Sequence, residues 1–194
     1  MITQKIEPKA TYDIERIIKT LVLAFSNDPV VRWMYPFLQN YVKFFPEFIQ
    51  ALGSKAFEQE TVYCTSNYSG IAFWLPPNIH PDANTIVELL KRTIPQQRQA
   101  EVFAVLEQMG NYHPNEPHWY LAMIGVEPTQ QKQGYGSALI QPALDICDRH
   151  KQIAYLESSK AINIPFYKSH GFEIIGTIKA GKSPTLFPML RYPR

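Results

Sequence analysis

The chain predicts an α/β fold, a single domain with a mixed central sheet of about seven strands and helices on both faces. Three observations lead there. Its 194 residues fit one core rather than two. Its last third alternates strand-like and helix-like segments. Within that third, a strand, a crossover helix and a second strand imply parallel pairing, whereas the final two strands suit an antiparallel hairpin, so the sheet is mixed.

Residues 2–7 fit a short first strand, and Ile14, Ile17, Ile18, Leu21 and Phe25 then recur at helical spacing. Asn27, Asp28 and Pro29 interrupt that helix, leaving Trp33 and Tyr35 in a loop-like stretch. Tyr41, Phe44, Phe45, Phe48, Ile49 and Leu52 form a second helical stripe, which Gly53 is expected to stop and Pro46 to kink or delay. Residues 61–64 and 70–75 are β-branched or aromatic; residues 65–69 between them predict a hairpin that ends at Pro76 and Pro77. Two amphipathic helices follow, one carrying Ile86, Leu89, Leu90 and Ile94, the other, after Pro95, carrying Val102, Val105, Leu106 and Met109. The remainder predicts strand 118–126, helix 133–150, strand 153–157, short helix 163–170, and strands 172–179 and 185–192. Pro142 should bend the helix that contains it, because it removes one N–H.

A formal charge of +2 without a basic block is not the footprint of a nucleic-acid-binding protein. Residues 1–20 lack the apolar core of a secretion signal, and no apolar run approaches a membrane span, so a cytoplasmic protein with no membrane partner is expected. Cys64 and Cys147 are too few and too separated for a disulfide framework and predict reduced, buried thiols. His80, His113, His118, His150 and His170 have no metal-ligand spacing, so no metal is expected.

Between the strand at 118–126 and the helix after it lies Gln131-Lys132-Gln133-Gly134-Tyr135-Gly136-Ser137. Two glycines at a helix mouth let a ligand reach the backbone, and the unpaired N–H groups of the first turn favour phosphate. A nucleotide P-loop would need a lysine after the last glycine, where Ser137 stands, and a dinucleotide fingerprint would need a small residue at Leu139. Gln131-x-x-Gly134-x-Gly136 resembles the coenzyme A loop of the GNAT N-acetyltransferase superfamily, and Asn163-x-Pro165-Phe166-Tyr167 followed by Gly171-Phe172 resembles its second signature. The segments His118-Trp119-Tyr120-Leu121, Tyr155-Leu156-Glu157-Ser158-Ser159 and Asn163 to Tyr167 are similar to the puromycin N-acetyltransferase branch.

The resemblance implies a GNAT-like domain spanning residues 1–194, with an acceptor-side half (1–116) and an acetyl-CoA-binding half (117–194), and a splay between the fourth and fifth strands. It implies acetyl-CoA as cosubstrate, with no metal, and a small-molecule primary amine as acceptor; a protein N-terminus or lysine, and a non-catalytic acyl-CoA sensor, stand as alternatives. The protein is expected to be a monomer or homodimer. Cofactor contacts are expected from the backbone of Met123, Ile124 and Val126, from Gln131, Lys132, Gln133, Gly134, Tyr135, Gly136 and Ser137, and from Asn163 and Phe166. Gly125 suits a bulge that would open the splay. Tyr167 corresponds to the residue that assists the leaving sulfur, Glu157 is the first candidate for the base and His118 the second. Trp33, Tyr35 and Trp74, with Phe25 and Phe44 nearby in the chain's aromatic set, are candidates for the acceptor pocket.

Overall fold

A computed structural model describes residues 12–194, so the strand expected at 2–7 lies outside the described residues. The chain forms α1 (Ile14–Ala24), α2 (Pro29–Met34), α3 (Leu38–Glu58), β1 (Val62–Cys64), β2 (Gly70–Leu75), α4 (Ala83–Thr93) and α5 (Gln96–Tyr112). After these come β3 (His118–Val126), α6 (Tyr135–His150), β4 (Ile153–Ser158), α7 (Ile164–Ser169), β5 (Glu173–Ile174) and β6 (Phe187–Arg191). The described strands make one sheet in the order β1-β2-β3-β4-β6-β5. Only β3 and β4 pair in parallel among the described strands, as the intervening α6 crossover requires.

The sheet separates two apolar layers. Ile71, Phe73, Leu75, Tyr120, Met123 and Tyr155 pack with Ile17 and Leu21 of α1 and with Phe45 and Ile49 of α3. Ala72, Trp74, Trp119, Leu121 and Leu156 pack with Leu139, Ile140, Ala143 and Leu144 of α6 and with Tyr167 of α7. Alternation along each strand sorts the side chains between the layers.

The splay expected between the fourth and fifth strands lies between β3 and β4. Their ladder runs only from His118↔Ile153 to Tyr120↔Tyr155, although β3 continues to Val126 on its β2 side. On β3, Phe73 faces Met123 and Trp74 faces Leu121, so Ala122 is an extra residue, a bulge. The bulge re-aims the strand: Trp119 and Leu121 face α6 before it, and Ile124 and Val126 do so after it. Gly125, expected to form the bulge, instead pairs regularly with Ile71, and a Cβ there would stand 2.8 Å from that of Ala24. It is small to admit α1.

Four other expectations need correction. Gly53 does not end a helix, since α3 runs on to Glu58; a Cβ at Gly53 would meet the Phe73 ring at 2.5 Å, so the glycine instead permits a close helix-to-sheet contact. Pro46 lies inside α3, which begins well before it at Leu38. Trp33 is helical, because Asp28 accepts from the N–H groups of Val30 and Val31 at 3.0 and 3.1 Å and Pro29 takes the first position of α2. The strand expected at 172–179 shortens to β5 and a lone bridge, Ile178↔Leu186, since Ile178 and Leu186 leave the sheet to pack on Val105 of α5. The helix α6 runs through Pro142 without a break. Cys64 and Cys147 are buried and not joined in a disulfide.

Candidate active site

The loop between β3 and α6 is held in shape by its own backbone. Gln131 donates from Nε2 to the Val126 carbonyl at 3.1 Å, and Lys132 and Gly134 both take left-handed conformations, at φ of 62° and 86°. Gly134 is the N-cap of α6, and no side chain caps that helix. The first-turn N–H groups of Tyr135, Gly136 and Ser137 are therefore left for a ligand, at the positive end of a helix of 16 residues. Gly136 packs against α7: a Cβ there would lie 3.1 Å from the Phe166 ring. Beside the loop, the β4-facing edge of Met123 to Val126 is unpaired with β4, which leaves its backbone groups open to the splay. Asn163 stands at the N-cap of α7 but makes no side-chain cap bond, because a 3₁₀ turn over Ala161–Asn163 has already brought it to helical angles; its amide is exposed.

Tyr167 is buried on α7 between Phe166 and Phe172, and its hydroxyl makes no hydrogen bond to the described residues. Burial, and secondarily the Asp28 carboxylate, push the phenol well above its ordinary range. Asp28 is itself buried; while one oxygen caps α2, the other accepts from the Ser159 hydroxyl. The turn before α2, the end of β4 and α7 thus converge.

Two residues before Ser159 on the same strand end is Glu157, its side chain 3% exposed. Its Oε1 lies 3.4 Å from Nε2 of His113, at ion-pair range, and makes no hydrogen bond. His113 Nδ1 is 3.1 Å from His118 Nε2, and His118 Nδ1 is 2.8 Å from the Glu116 carbonyl. The rings of Tyr120 and Tyr155 flank His113, with centroids at 4.6 and 4.5 Å. Burial first, and then the Glu157 charge, raise both phenols, while burial holds the His118 imidazole below its usual value. The arrangement can receive a cation near two buried carboxylates, take a proton at Glu157 and donate a hydrogen bond from Tyr167.

Residues 97–172 match the model of the Acetyltransferase (GNAT) family. A Schizosaccharomyces pombe protein described as an uncharacterized N-acetyltransferase is 27% identical over 186 residues, covering 89% of this chain and 74% of its own. The solved structure of a histone acetyltransferase HPA2 and related acetyltransferase from Corynebacterium glutamicum superposes with a TM-score of 0.67 at 22% identity, covering 98% of this chain and 96% of that one. Arylalkylamine N-acetyltransferase 2 from Aedes aegypti gives a TM-score of 0.67 at 12% identity, over 97% and 98% of the two chains. The chain has the GNAT acetyltransferase fold. The family-model match and the Schizosaccharomyces pombe relative, rather than the fold, support an acyltransferase, and GNAT acetyltransferases use acetyl-CoA.

On this GNAT frame the expected acceptor residues do not gather in one place. Trp74 points into the α6 layer, fully buried and edge-on to Trp119, whereas Trp33 and Tyr35 pack in the opposite layer. Strand alternation is the reason: in β2, Phe73 faces α3 and its neighbour Trp74 faces α6. Tyr35 is also buried, its hydroxyl 3.0 Å from that of Thr93. Trp33, partly buried on α2, is the member of the three closest to the chain's surface. Sequence reasoning did not single out His113, Asp28 or Ser159 as site residues. Asp28 carried one signal, the helix-capping Asp-Pro pair; His113 and Ser159 carried none, because they join the site through contacts distant in sequence or across a loop. Among the described residues no cluster of histidine, cysteine and carboxylate side chains could hold a metal, and no helix is long and apolar enough to cross a membrane.

Proposed function

We propose that the chain transfers the acetyl group of acetyl-CoA to a primary amine of a small molecule by direct attack in a ternary complex. The observation that carries this reading is the convergence of Tyr167, Glu157 and Asp28 at the open end of the β3–β4 splay, beside an uncapped helix N-terminus. The pyrophosphate of coenzyme A takes the N–H groups of Gly134 to Ser137, with Lys132 and Gln131 to Gln133 shaping the loop, and Asn163 and Phe166 flank it. The pantetheine arm lies along the backbone of Met123, Ile124 and Val126, whose edge groups can bond its amides and the developing oxyanion.

In the reaction Glu157 takes one proton from the incoming ammonium, the neutral nitrogen attacks the thioester carbon, the C–S bond breaks, and the second nitrogen proton passes to the leaving thiolate. Tyr167 donates a hydrogen bond to the sulfur as its charge develops. His118 is not the direct base, since both its ring nitrogens are engaged. Asp28 adds negative charge that favours an incoming ammonium.

Support for a small acceptor comes from α2. Asp28 ties its N-terminus to Ser159 at the end of β4, which favours a fixed, closed acceptor side over a movable peptide groove. The reading as a member of the puromycin N-acetyltransferase branch rests on Tyr155 to Ser159 and Asn163 to Tyr167, and a cytoplasmic site of action belongs to the same proposal.

The test is transfer of isotopically labelled acetyl from acetyl-CoA into a host metabolite extract, read by mass spectrometry. A labelled small-molecule amide is the expected product. Label found only on protein would replace this reading with protein acetylation, and no labelled product from a protein that binds coenzyme A would replace it with acyl-CoA sensing.

A further inference from the structure

We infer that Glu157 and His113 act as one proton-accepting couple, with His118 fixing the orientation of His113. This rests on the acetyl-transfer reading for its use and on geometry for its existence. The hydrogen-bond roles follow from one fixed end. The Glu116 carbonyl has no proton to give, so His118 Nδ1 carries the hydrogen in the 2.8 Å contact. His118 is buried and shifted toward the neutral form, so its Nε2 is an acceptor. His113 Nδ1 must then donate across the 3.1 Å contact. A neutral His113 consequently turns the lone pair of Nε2 toward the Glu157 carboxylate, 3.4 Å away.

Two bases facing each other have room for one proton between them. Glu157 Oε1 is buried without a hydrogen bond of good geometry, and the Tyr120 and Tyr155 hydroxyls face the same carboxylate. The amine therefore loses its proton to the couple as a unit. The new hydrogen sits between Oε1 and Nε2, and His113, whose side chain is 23% exposed against 3% for Glu157, returns the proton to solvent. The groups that face the couple are Tyr120 from β3, Tyr155 from β4, Tyr112 beside Tyr155, and His118 with the more distant His80. Both central phenols are raised and stay protonated, which leaves the couple as the proton acceptor of the cluster. His113 is thus a positioning residue: it acts through Glu157.

Two measurements decide this. In protein labelled with ¹⁵N-histidine, long-range ¹H–¹⁵N correlation spectra at neutral pH should show His118 neutral with its hydrogen on Nδ1, and Glu157→Gln should move the ring-nitrogen resonances of His113 while leaving the His118 tautomer intact. A hydrogen on His118 Nε2, or a His113 ring indifferent to Glu157→Gln, overturns the couple. This arm needs no acceptor, so it can fail while acetyl transfer stands. With the amine found by label transfer, His113→Gln and Glu157→Gln should each lower kcat about ten-fold or more and remove the same limb of the pH profile, and the double variant should fall no more than about three-fold below the worse single one. Losses that multiply overturn the shared role, and an intact couple in a protein that transfers no acetyl group overturns its catalytic use.

Discussion

A phenol taken out of water gains nothing by ionising, and Tyr167 is buried between two aromatic rings with a carboxylate nearby. Even an unshifted phenol near ~10 is a weaker acid than a thiol near ~8.5, and the shift here is upward, so complete proton transfer to the leaving thiolate is uphill. The role left in the proposed mechanism is a hydrogen bond to the developing charge. Tyr167→Phe is therefore expected to lower kcat about ten-fold or more with little change in coenzyme A affinity; steady-state kinetics with kcat unchanged would remove the residue from the mechanism. Tyr167 and Glu157 were readable as candidates because motif spacing surrounds them. Asp28 and Ser159 were not, since the bond between them joins positions 131 residues apart. His113 was hidden in a different way. It ends α5 and reaches the site by folding back on His118 across a turn that has no sequence signature.

At the scale of elements, the loop and α6 separate two uses of glycine. Nothing lies within 4 Å of a Cβ at Gly134, yet its φ of 86° is costly for any other residue by about 1–2 kcal/mol. At Gly136 the backbone is ordinary and the space is not, because the Phe166 ring stands 3.1 Å from a Cβ. Gly134→Ala should thus distort the loop itself, and Gly136→Val should push α7 from the first turn of α6. Calorimetric titration is expected to show coenzyme A affinity down about ten-fold in either variant. Unchanged affinity in both would end the reading of this loop as the phosphate site. Most elements were readable from apolar spacing. Two of the misjudged features, the end of α3 at Gly53 and the bulge at Gly125, share a cause: a glycine's local freedom says nothing about the neighbour that requires it to be small, here Phe73 and Ala24.

In the whole molecule, the C-terminal strand is locked to α6 by a buried guanidinium. Arg191 donates to both oxygens of Asp148 at 2.9 and 2.7 Å and to the His170 carbonyl, and the Arg194 N–H adds a further bond to Asp148. The Arg191 bonds, more than any other cause, hold the Asp148 carboxyl below its ordinary value. A depressed acid contributes stability above its unfolded value, near ~4, and that contribution disappears as pH falls through the lower folded value. Asp148→Ala strands Arg191, which is 3% exposed, and is expected to cost about 3 kcal/mol. Denaturant titrations should show the deficit at pH 7 and its narrowing below about pH 4; equal stability of both proteins at pH 7 would refute the latch. The sheet carries a different kind of consequence. Between Gly70↔Val126 and Leu75↔Tyr120, β2 stitches the acceptor-side half to the strand on which the cofactor would rest. A fragment starting at residue 117 would retain the glycine loop and α7, but it would bare an apolar edge of nine residues, from His118 to Val126. Exposed edges of that kind recruit further copies. Evolution could therefore exchange the surface helices of this protein far more easily than it could shuffle the two halves as modules.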